Sequence, residues 1–200
     1  MATPHVSGIV ALIMSKLKYE NKRQWSISEI QSALITTTNT FDLDGRPIFD
    51  EATFNDSANI LQRGAGQVNA TNAMDPGLVY NIEPDDYVAY LCGIFSNNNT
   101  DVQRSISGEQ LNYPSIGIPM ASSSASTTIS RTVTNITEPP FVKIYLSEYM
   151  LSFTRFEQQI TYDITFSMNG SHPGSGVIGQ GELSWVSSKH TVTSPIYIAF

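Results

Sequence analysis

The chain has 200 residues, of which 40% are hydrophobic and 14% charged, a composition typical of a folded protein with a buried core. Aspartate and glutamate (18) outnumber lysine and arginine (11), the net charge is −7, and no basic run occurs. Because phosphate backbones bind clustered cations, nucleic acid is excluded as a partner. No stretch reaches the roughly 18 apolar residues of a membrane helix, so we predict no membrane partner either.

The first predicted element is a helix that begins at Thr3-Pro4, with the threonine as N-cap and the proline at the first helical position. Apolar residues follow at helical spacing as far as Leu17, and small residues between them would let another backbone approach closely. The pattern predicts a helix surrounded by protein. The six uninterrupted apolar residues Ile9–Met14 have no basic lead-in, so they are not predicted to be a signal peptide.

A second helix is predicted after Trp25, because Ser26 and Glu29 have the spacing of a capping box. Residues 39–59 are predicted to form a loop. Gly64-Ala65-Gly66 is predicted to be a tight turn; the alternative, a phosphate-binding loop, lacks a preceding strand and further glycines. Asp75-Pro76-Gly77 is a predicted turn, and the acidic pair Asp85-Asp86 favours a short helix over 87–92.

After a polar segment at 97–110, the predicted linker, the pattern changes to a period of two residues. Apolar and polar residues alternate in three stretches, which are 128–134, 142–146 and 161–166. Short alternating strands separated by turn residues predict an antiparallel β-sandwich.

The chain has one cysteine and three histidines. Cys92 has no intrachain disulfide partner and is predicted to be a small buried residue, since a thiol nucleophile would need a nearby histidine. No pattern in the sequence places His5, His172 or His190 beside it. Five Asn-x-Ser/Thr sequons predict N-glycosylation and a secretory history, at Asn55, Asn69, Asn98, Asn135 and Asn169.

Several short motifs in one order resemble a known family. Met1-Ala2-Thr3-Pro4-His5-Val6 resembles the end of Gly-Thr-Ser-Met-Ala-Thr-Pro-His-Val, the nucleophile motif of subtilisin-like serine proteases. The further motifs that resemble plant-type subtilases are Trp25–Thr38, Gly64–Asn69, Asp75–Tyr80, Asp86–Cys92, Leu111–Ser115, Arg131–Asn135, Gly181–Trp185 and Ser194–Ile196.

The resemblance implies an α+β chain of two parts. Residues 1–105 would be the helical C-terminal part of a subtilisin-like peptidase domain, and residues 106–200 a fibronectin type III-like antiparallel β-sandwich. The residues that remain from the nucleophile motif are Met1, Ala2, Thr3, Pro4, His5 and Gly8, with His5 in a structural role. Similarly, His190 matches a structural histidine before the Ser-Pro-Ile strand.

The family's nucleophilic serine would immediately precede Met1, and its catalytic Asp, His and oxyanion-hole Asn would lie further upstream. This chain alone is therefore expected to be inactive, with no catalytic residue, no metal and no cofactor. The parent enzyme would be a secreted, extracellular endopeptidase that cleaves proteins or peptides. The alternative is a non-catalytic fibronectin-like binding or structural module.

The sequence departs from the family pattern in three places. No second cysteine occurs at 101–110, before Leu111-Asn112-Tyr113, and Gln67 replaces the family's histidine. About one strand is missing where Ile136-Thr137-Glu138 runs directly into Pro139. We therefore expect an unpaired sheet edge or a shifted register in the sandwich. We also expect residues 1–80 to be unstable alone, because the first helix would lack its usual covering sheet.

Overall fold

The computed structural model of the chain describes residues 2–20, 22–53, 56–95, 104–120, 126–137, 143–145 (backbone), 150–168, 171 and 173–200. Seven residues named in the sequence predictions lie outside these ranges: Met1, Asn55, Asn98, Glu138, Pro139, Asn169 and His172. The predicted loss of a strand also falls partly outside them, at 138–142.

The first half of the chain is helical. Its helices are α1 (Ala2–Tyr19), α2 (Ile27–Thr36), α3 (Ile60–Arg63), α4 (Ala70–Ala73) and α5 (Pro84–Phe95). Helix α1 begins at Ala2, so Thr3 lies inside the helix and the prediction that it is the N-cap is wrong. Pro4 is tolerated in this first turn because the first four N–H groups of a helix have no intrahelical acceptor. Helix α5 is also longer than the predicted 87–92.

Helix α2 begins as its sequence predicts. The Ser26 hydroxyl accepts a hydrogen bond from the Glu29 N–H at 3.1 Å, and the Glu29 carboxylate accepts one from the Ser26 N–H at 2.7 Å. This reciprocal capping box satisfies two of the N–H groups that a helix start leaves unpaired. The C-terminal end of α2 passes into the irregular segment predicted at 39–59.

The glycines of the predicted turn Gly64-Ala65-Gly66 are needed for its backbone conformation. Both glycines have a positive φ, 59° at Gly64 and 128° at Gly66. A Cβ on Gly66 would lie 2.4 Å from the Asn39 carbonyl oxygen. The backbones of Asn39 and Gln67 are bridged at this point, so glycine is needed for close backbone approach.

The strands form two sheets. Strand β1 (Leu78–Val79) is followed by β2 (Ile116–Pro119), β3 (Ser126–Asn135), β4 (Lys143–Tyr145), β5 (Met150–Ser152), β6 (Gln159–Ser167), β7 (Ile178–Val186) and β8 (Thr191–Ala199). One sheet has the order β1-β3-β6 and the other β2-β8-β7-β4-β5. The pairings are antiparallel except for β2 with β8, which is parallel. The predicted sandwich is confirmed with this one parallel pair.

The core between the sheets includes residues from the helical half of the chain. Leu78 and Tyr80 are fully buried beside side chains of both sheets, which are Val133, Leu151, Phe153, Trp185 and Val192. Tyr162 meets Trp185 edge to face, with ring centroids 4.8 Å apart. A strand from the segment before α5 therefore completes the sandwich.

Candidate functional site

The motif helix presents its first two turns to solvent. Every residue from Ala2 to Gly8 is exposed, including His5 and Ser7. Nothing lies within 4 Å of the position that a Cβ on Gly8 would occupy. The described residues of the nucleophile motif, Ala2–His5 and Gly8, therefore form an open surface at the N-terminal end of α1.

The rest of α1 is attached along one narrow stripe. Ile13 and Leu17 are buried against α2 and α4, in a cluster that includes Ile30, Leu34 and Ala73. The Lys16 ammonium also donates a hydrogen bond to the Met74 carbonyl at 3.1 Å. Three large apolar side chains of the helix are exposed, those of Val6, Leu12 and Met14.

The predicted turn at Asp75-Pro76-Gly77 is held by His190. The His190 Nε2 lies 3.1 Å from the Asp75 carboxylate, and this hydrogen bond holds the pKa of Asp75 below its ordinary value. Gly77 has φ 84°, and a Cβ there would meet the imidazole at 2.8 Å. The other ring nitrogen, Nδ1, is buried and has no hydrogen-bond partner among the described residues. His190 is therefore arranged as a clamp, since a catalytic base would place one nitrogen on a nucleophile.

Tyr80 connects the helical half to the sandwich through hydrogen bonds. Its N–H donates to the Ser32 hydroxyl of α2 at 2.9 Å, and its phenol contacts the Tyr162 hydroxyl at 2.7 Å and that of Ser194 at 2.9 Å. Burial raises the pKa of Tyr80 and of Tyr162, so both phenols stay protonated. The motif tyrosine thus has a structural role.

Asn112, of the motif Leu111–Ser115, takes the place of a neighbouring strand. Strand β1 pairs with β3 only at Thr134 and Asn135. At Thr132 the Asn112 amide instead accepts from the N–H at 2.9 Å and donates to the carbonyl at 2.9 Å. The same amide donates to the Asn81 carbonyl at 2.8 Å. One side chain therefore blunts an open edge of β3 and attaches it to the segment after β1.

Two arginines also lie at the junction between the helical half and the sandwich, the region that includes Tyr80 and Asn112. Arg23 donates to both carboxylate oxygens of Glu29 and also contacts Glu157 of the β5–β6 loop, and these carboxylates raise its pKa. Arg131 of β3 points into the sandwich, where it donates to the carbonyls of Glu109 and Ser130. Burial lowers the pKa of Arg131, and its Nε has no partner among the described residues.

The described sequons are poorly placed for glycosylation. Asn135 is buried and its amide donates to the carbonyls of Thr137 and Arg155, so the sequon prediction does not fit this fold. Asn69 is half-buried, caps α4 by accepting from the Asn72 N–H, and donates to Asn39. A glycan on either nitrogen would replace one of the two hydrogens with which Asn135 donates to Thr137 and Arg155, and Asn69 to Asn39.

Cys92 is half-buried on α5 and forms no disulfide in the described part of the chain. It was predicted to be a small buried residue, and the structure buries it only in part. The described residues include no group of three side chains suited to hold a metal ion. No described helix is both long and apolar enough to cross a bilayer.

Comparison with known proteins agrees with these elements. Residues 1–73 match the model of the Subtilase family, and residues 110–198 match that of the Fibronectin type-III domain. Subtilisin-like protease SBT1.2 of Arabidopsis thaliana is 35% identical over 99% of the chain and 28% of its own length. SBT1.7 is 33% identical over 100% and 28%, and SBT5.3 is 35% identical over 99% and 27%, both from the same plant.

A subtilase segment followed by a fibronectin type III-like sandwich is thus the class that the fold and the matches define. The chain belongs to the subtilase family, and its similarity to plant subtilisin-like proteases extends over nearly all of its residues. It spans less than a third of the length of these relatives.

The sequence motifs identified the residues of the junction but not their contacts. The integration of Leu78 and Tyr80 into the sandwich core was missed, although the apolar run after Gly77 is a signal for a short buried strand. The burial of Arg131 was missed too. Its position in the alternating pattern of β3, between Ile129 and Val133, places it on the inward face.

Proposed function

We propose that this chain is the C-terminal section of a secreted subtilisin-like serine endopeptidase, which cleaves proteins or peptides by an acyl-enzyme route. In this proposal the chain supplies the helix that follows the nucleophilic serine and a sandwich that supports it, and it supplies no catalytic side chain. The observation that carries the proposal is the open, apolar N-terminal part of α1, on which the nucleophile motif continues.

The role of α1 has a physical basis. The N-terminus of a helix carries partial positive charge and free N–H groups, which favour an oxyanion that forms beside a serine placed there. Residues 2–8 include Ala2, Ser7 and Gly8, whose small side chains would let a second backbone pack closely against this end. The exposed Val6, Leu12 and Met14 would then be covered by the rest of the peptidase domain.

The histidine arrangement supports the absence of a catalytic contribution. The His190 Nε2 is engaged by Asp75 and its Nδ1 is enclosed, so this ring has no nitrogen available to a nucleophile or substrate. Its hydrogen bond to Asp75 instead links the turn before β1 to the loop before β8. The secretory history proposed for the parent enzyme rests on the family resemblance.

A chimera tests the proposal. The segment of SBT1.2 matched by this chain is replaced with the chain, and labelling by a serine-directed fluorophosphonate is measured together with peptide hydrolysis. We expect the chimera to be labelled and active, and the 200-residue chain alone to be unlabelled. Replacing the serine that would precede Met1 with alanine should abolish labelling and provides the control.

Two outcomes would overturn the proposal. One is stoichiometric labelling of the isolated chain, which would mean that it has its own nucleophile. The other is a chimera that folds, by circular dichroism and gel filtration, but is not labelled. That result, together with one sharp thermal transition across both halves of the isolated chain, would favour the non-catalytic module.

A further inference from the structure

Helix α5 turns a face of mostly small and polar residues toward the rest of the chain, the reverse of the usual amphipathic arrangement. Ala89 is buried, and the Asp86 carboxylate pairs with Arg104 at 2.9 Å. At Gly93 the helix is so close to the next segment that a Cβ would lie 2.3 Å from the Ile106 carbonyl oxygen. This inward face therefore attaches α5 through close backbone approach at Gly93, the half-buried Tyr90 and one ion pair.

The outward face of α5 is apolar. It presents five large side chains at helical spacing, here called the α5 stripe: Tyr87, Val88, Leu91, Ile94 and Phe95. Val88 is 57% exposed, Leu91 49% and Phe95 79%. A helix face turned to solvent is ordinarily polar, and a contiguous exposed apolar stripe marks a surface that another molecule covers.

Helix α2 lies between α1 and the segment beside the α5 stripe. Helix α2 packs on α1 with Ile30 and Leu34. Its Gln31 donates a hydrogen bond of 2.8 Å to the Tyr113 hydroxyl. Tyr87 lies near enough to add to the effect of burial, which raises the pKa of Tyr113. Helix α2 therefore contacts the buried residues of α1 and, through Gln31 and Tyr113, the segment that lies near Tyr87.

We propose that the α5 stripe is a second docking surface for the remainder of the subtilase polypeptide, separate from the face of α1. This inference rests on the proposed function. Relatives matched over nearly the whole of this chain are matched over only 28% of their own length, so most of such a polypeptide lies outside the described residues and is available to cover the stripe. Asp85 and Asp86 at the start of α5 disfavour the alternative of an anionic membrane surface.

Leu91→Asp in the SBT1.2 chimera and in the isolated chain tests the inference, with Leu43→Asp as the matched control. The two substitutions are chemically identical, but Leu43 is 96% exposed in a loop and lies outside the stripe. We expect Leu91→Asp to lower the Tm of the chimera and to leave that of the isolated chain unchanged, because the stripe is covered only in the chimera. Leu43→Asp should be neutral in both proteins.

Hydrogen exchange provides a second measurement that needs no substitution. The α5 amides should exchange more slowly in the chimera than in the isolated chain. Equal exchange, equal Tm shifts in both proteins, or no shift in either would overturn the inference. A dimer of the isolated chain that Leu91→Asp dissociates in sedimentation would overturn it as well, by assigning the stripe to a second copy. The Tm and exchange comparisons are independent of fluorophosphonate labelling, which tests the proposed function.

Discussion

Helices α1 and α2 lie side by side, yet they are held in different ways. Two residues of the 18 in α1 are buried, both aliphatic, whereas five of the ten in α2 are buried and four of those are polar. The buried serines of α2 accept hydrogen bonds from the backbone of the segment after β1, at Tyr80 and Ile82. Helix α2 is thus fixed by specific polar contacts, while α1 rests on one apolar stripe and leaves its other faces open.

This difference changes where along the chain we expect the unstable part to end. From the sequence we expect residues 1–80 to be unstable alone. In the structure, α2 and β1 share a cluster with β3 and its flank, formed by Ala33, Val79 and Ile136. The weakly attached part therefore ends near Tyr19, and the segment from Trp25 onward is tied to the sandwich. The boundary predicted between residues 105 and 106 stays a prediction.

The largest effect is expected for Tyr80→Ala, with Tyr19→Ala as control. Tyr80 is 1% exposed in the sandwich core and Tyr19, at the end of α1, is 89% exposed. We expect Tyr80→Ala to cost about 3–5 kcal/mol, as for other buried aromatic side chains. Tyr19→Ala should stay within about 0.5 kcal/mol. Urea unfolding of the two variants measures both values, and similar midpoints would contradict the assignment of Tyr80 to the core.

A second test separates the two sides of α1. Ile13 is 1% exposed and its neighbour Leu12 is 54% exposed. Ile13→Ala should cost about 2–4 kcal/mol because it leaves a cavity between α1, α2 and α4. Leu12→Ala should be close to neutral in the isolated chain. If hydrogen exchange shows that Leu12→Ala loosens α1 as much as Ile13→Ala does, the exposed face is covered within this chain.

The third test removes the amide that blunts β3. Asn112→Ala leaves the N–H and carbonyl of Thr132 without their partner, and we expect a loss of about 1–3 kcal/mol. Asn72→Ala, at an exposed position in α4, is the matched control. Equal thermal shifts for the two variants would show that water replaces the amide at no cost.

Local patterns in the sequence predicted much of the fold. The Ser26–Glu29 capping box and the period-two alternation in β3 and β6 are local signals, and both elements form as predicted. The helix start at Thr3 was misplaced by one or two residues because proline is compatible with any position of a first turn.

The junction could not be predicted from local patterns, because its contacts join residues far apart in the chain. Asn112 and Thr132 are 20 residues apart, and Tyr80 and Ser194 are 114 apart. A motif shows which residue types occur together but not which backbone an amide will reach. The sequence identified α1 as the remnant of a catalytic motif but its pattern predicted a helix surrounded by protein, whereas the first two turns are exposed. The contact of His190 with Asp75 was visible only in three dimensions.

The smallest expected effect concerns the clamp between Asp75 and His190. The pKa of Asp75 is lowered in the folded chain, so the folded state binds the proton less readily than the unfolded state. The stability contributed by this pair is therefore fully present above the unfolded pKa of about 3.9. This stability is lost as the pH falls through the lowered pKa that Asp75 has in the folded chain. Because the Asp75 side chain is 63% exposed, we expect less than about 1 kcal/mol.

Thermal unfolding of the wild type and Asp75→Asn between about pH 2 and pH 6 measures this contribution. The wild type should be the more stable near the upper limit, and the two curves should converge as the carboxylate becomes protonated. Asp56→Asn, at an exposed loop position, should parallel the wild type throughout. A constant difference between wild type and Asp75→Asn would contradict a contribution from the charged Asp75 carboxylate and attribute the effect to packing of the turn against the imidazole. The clamp would then resemble the apolar attachment of α1 rather than the polar attachment of α2.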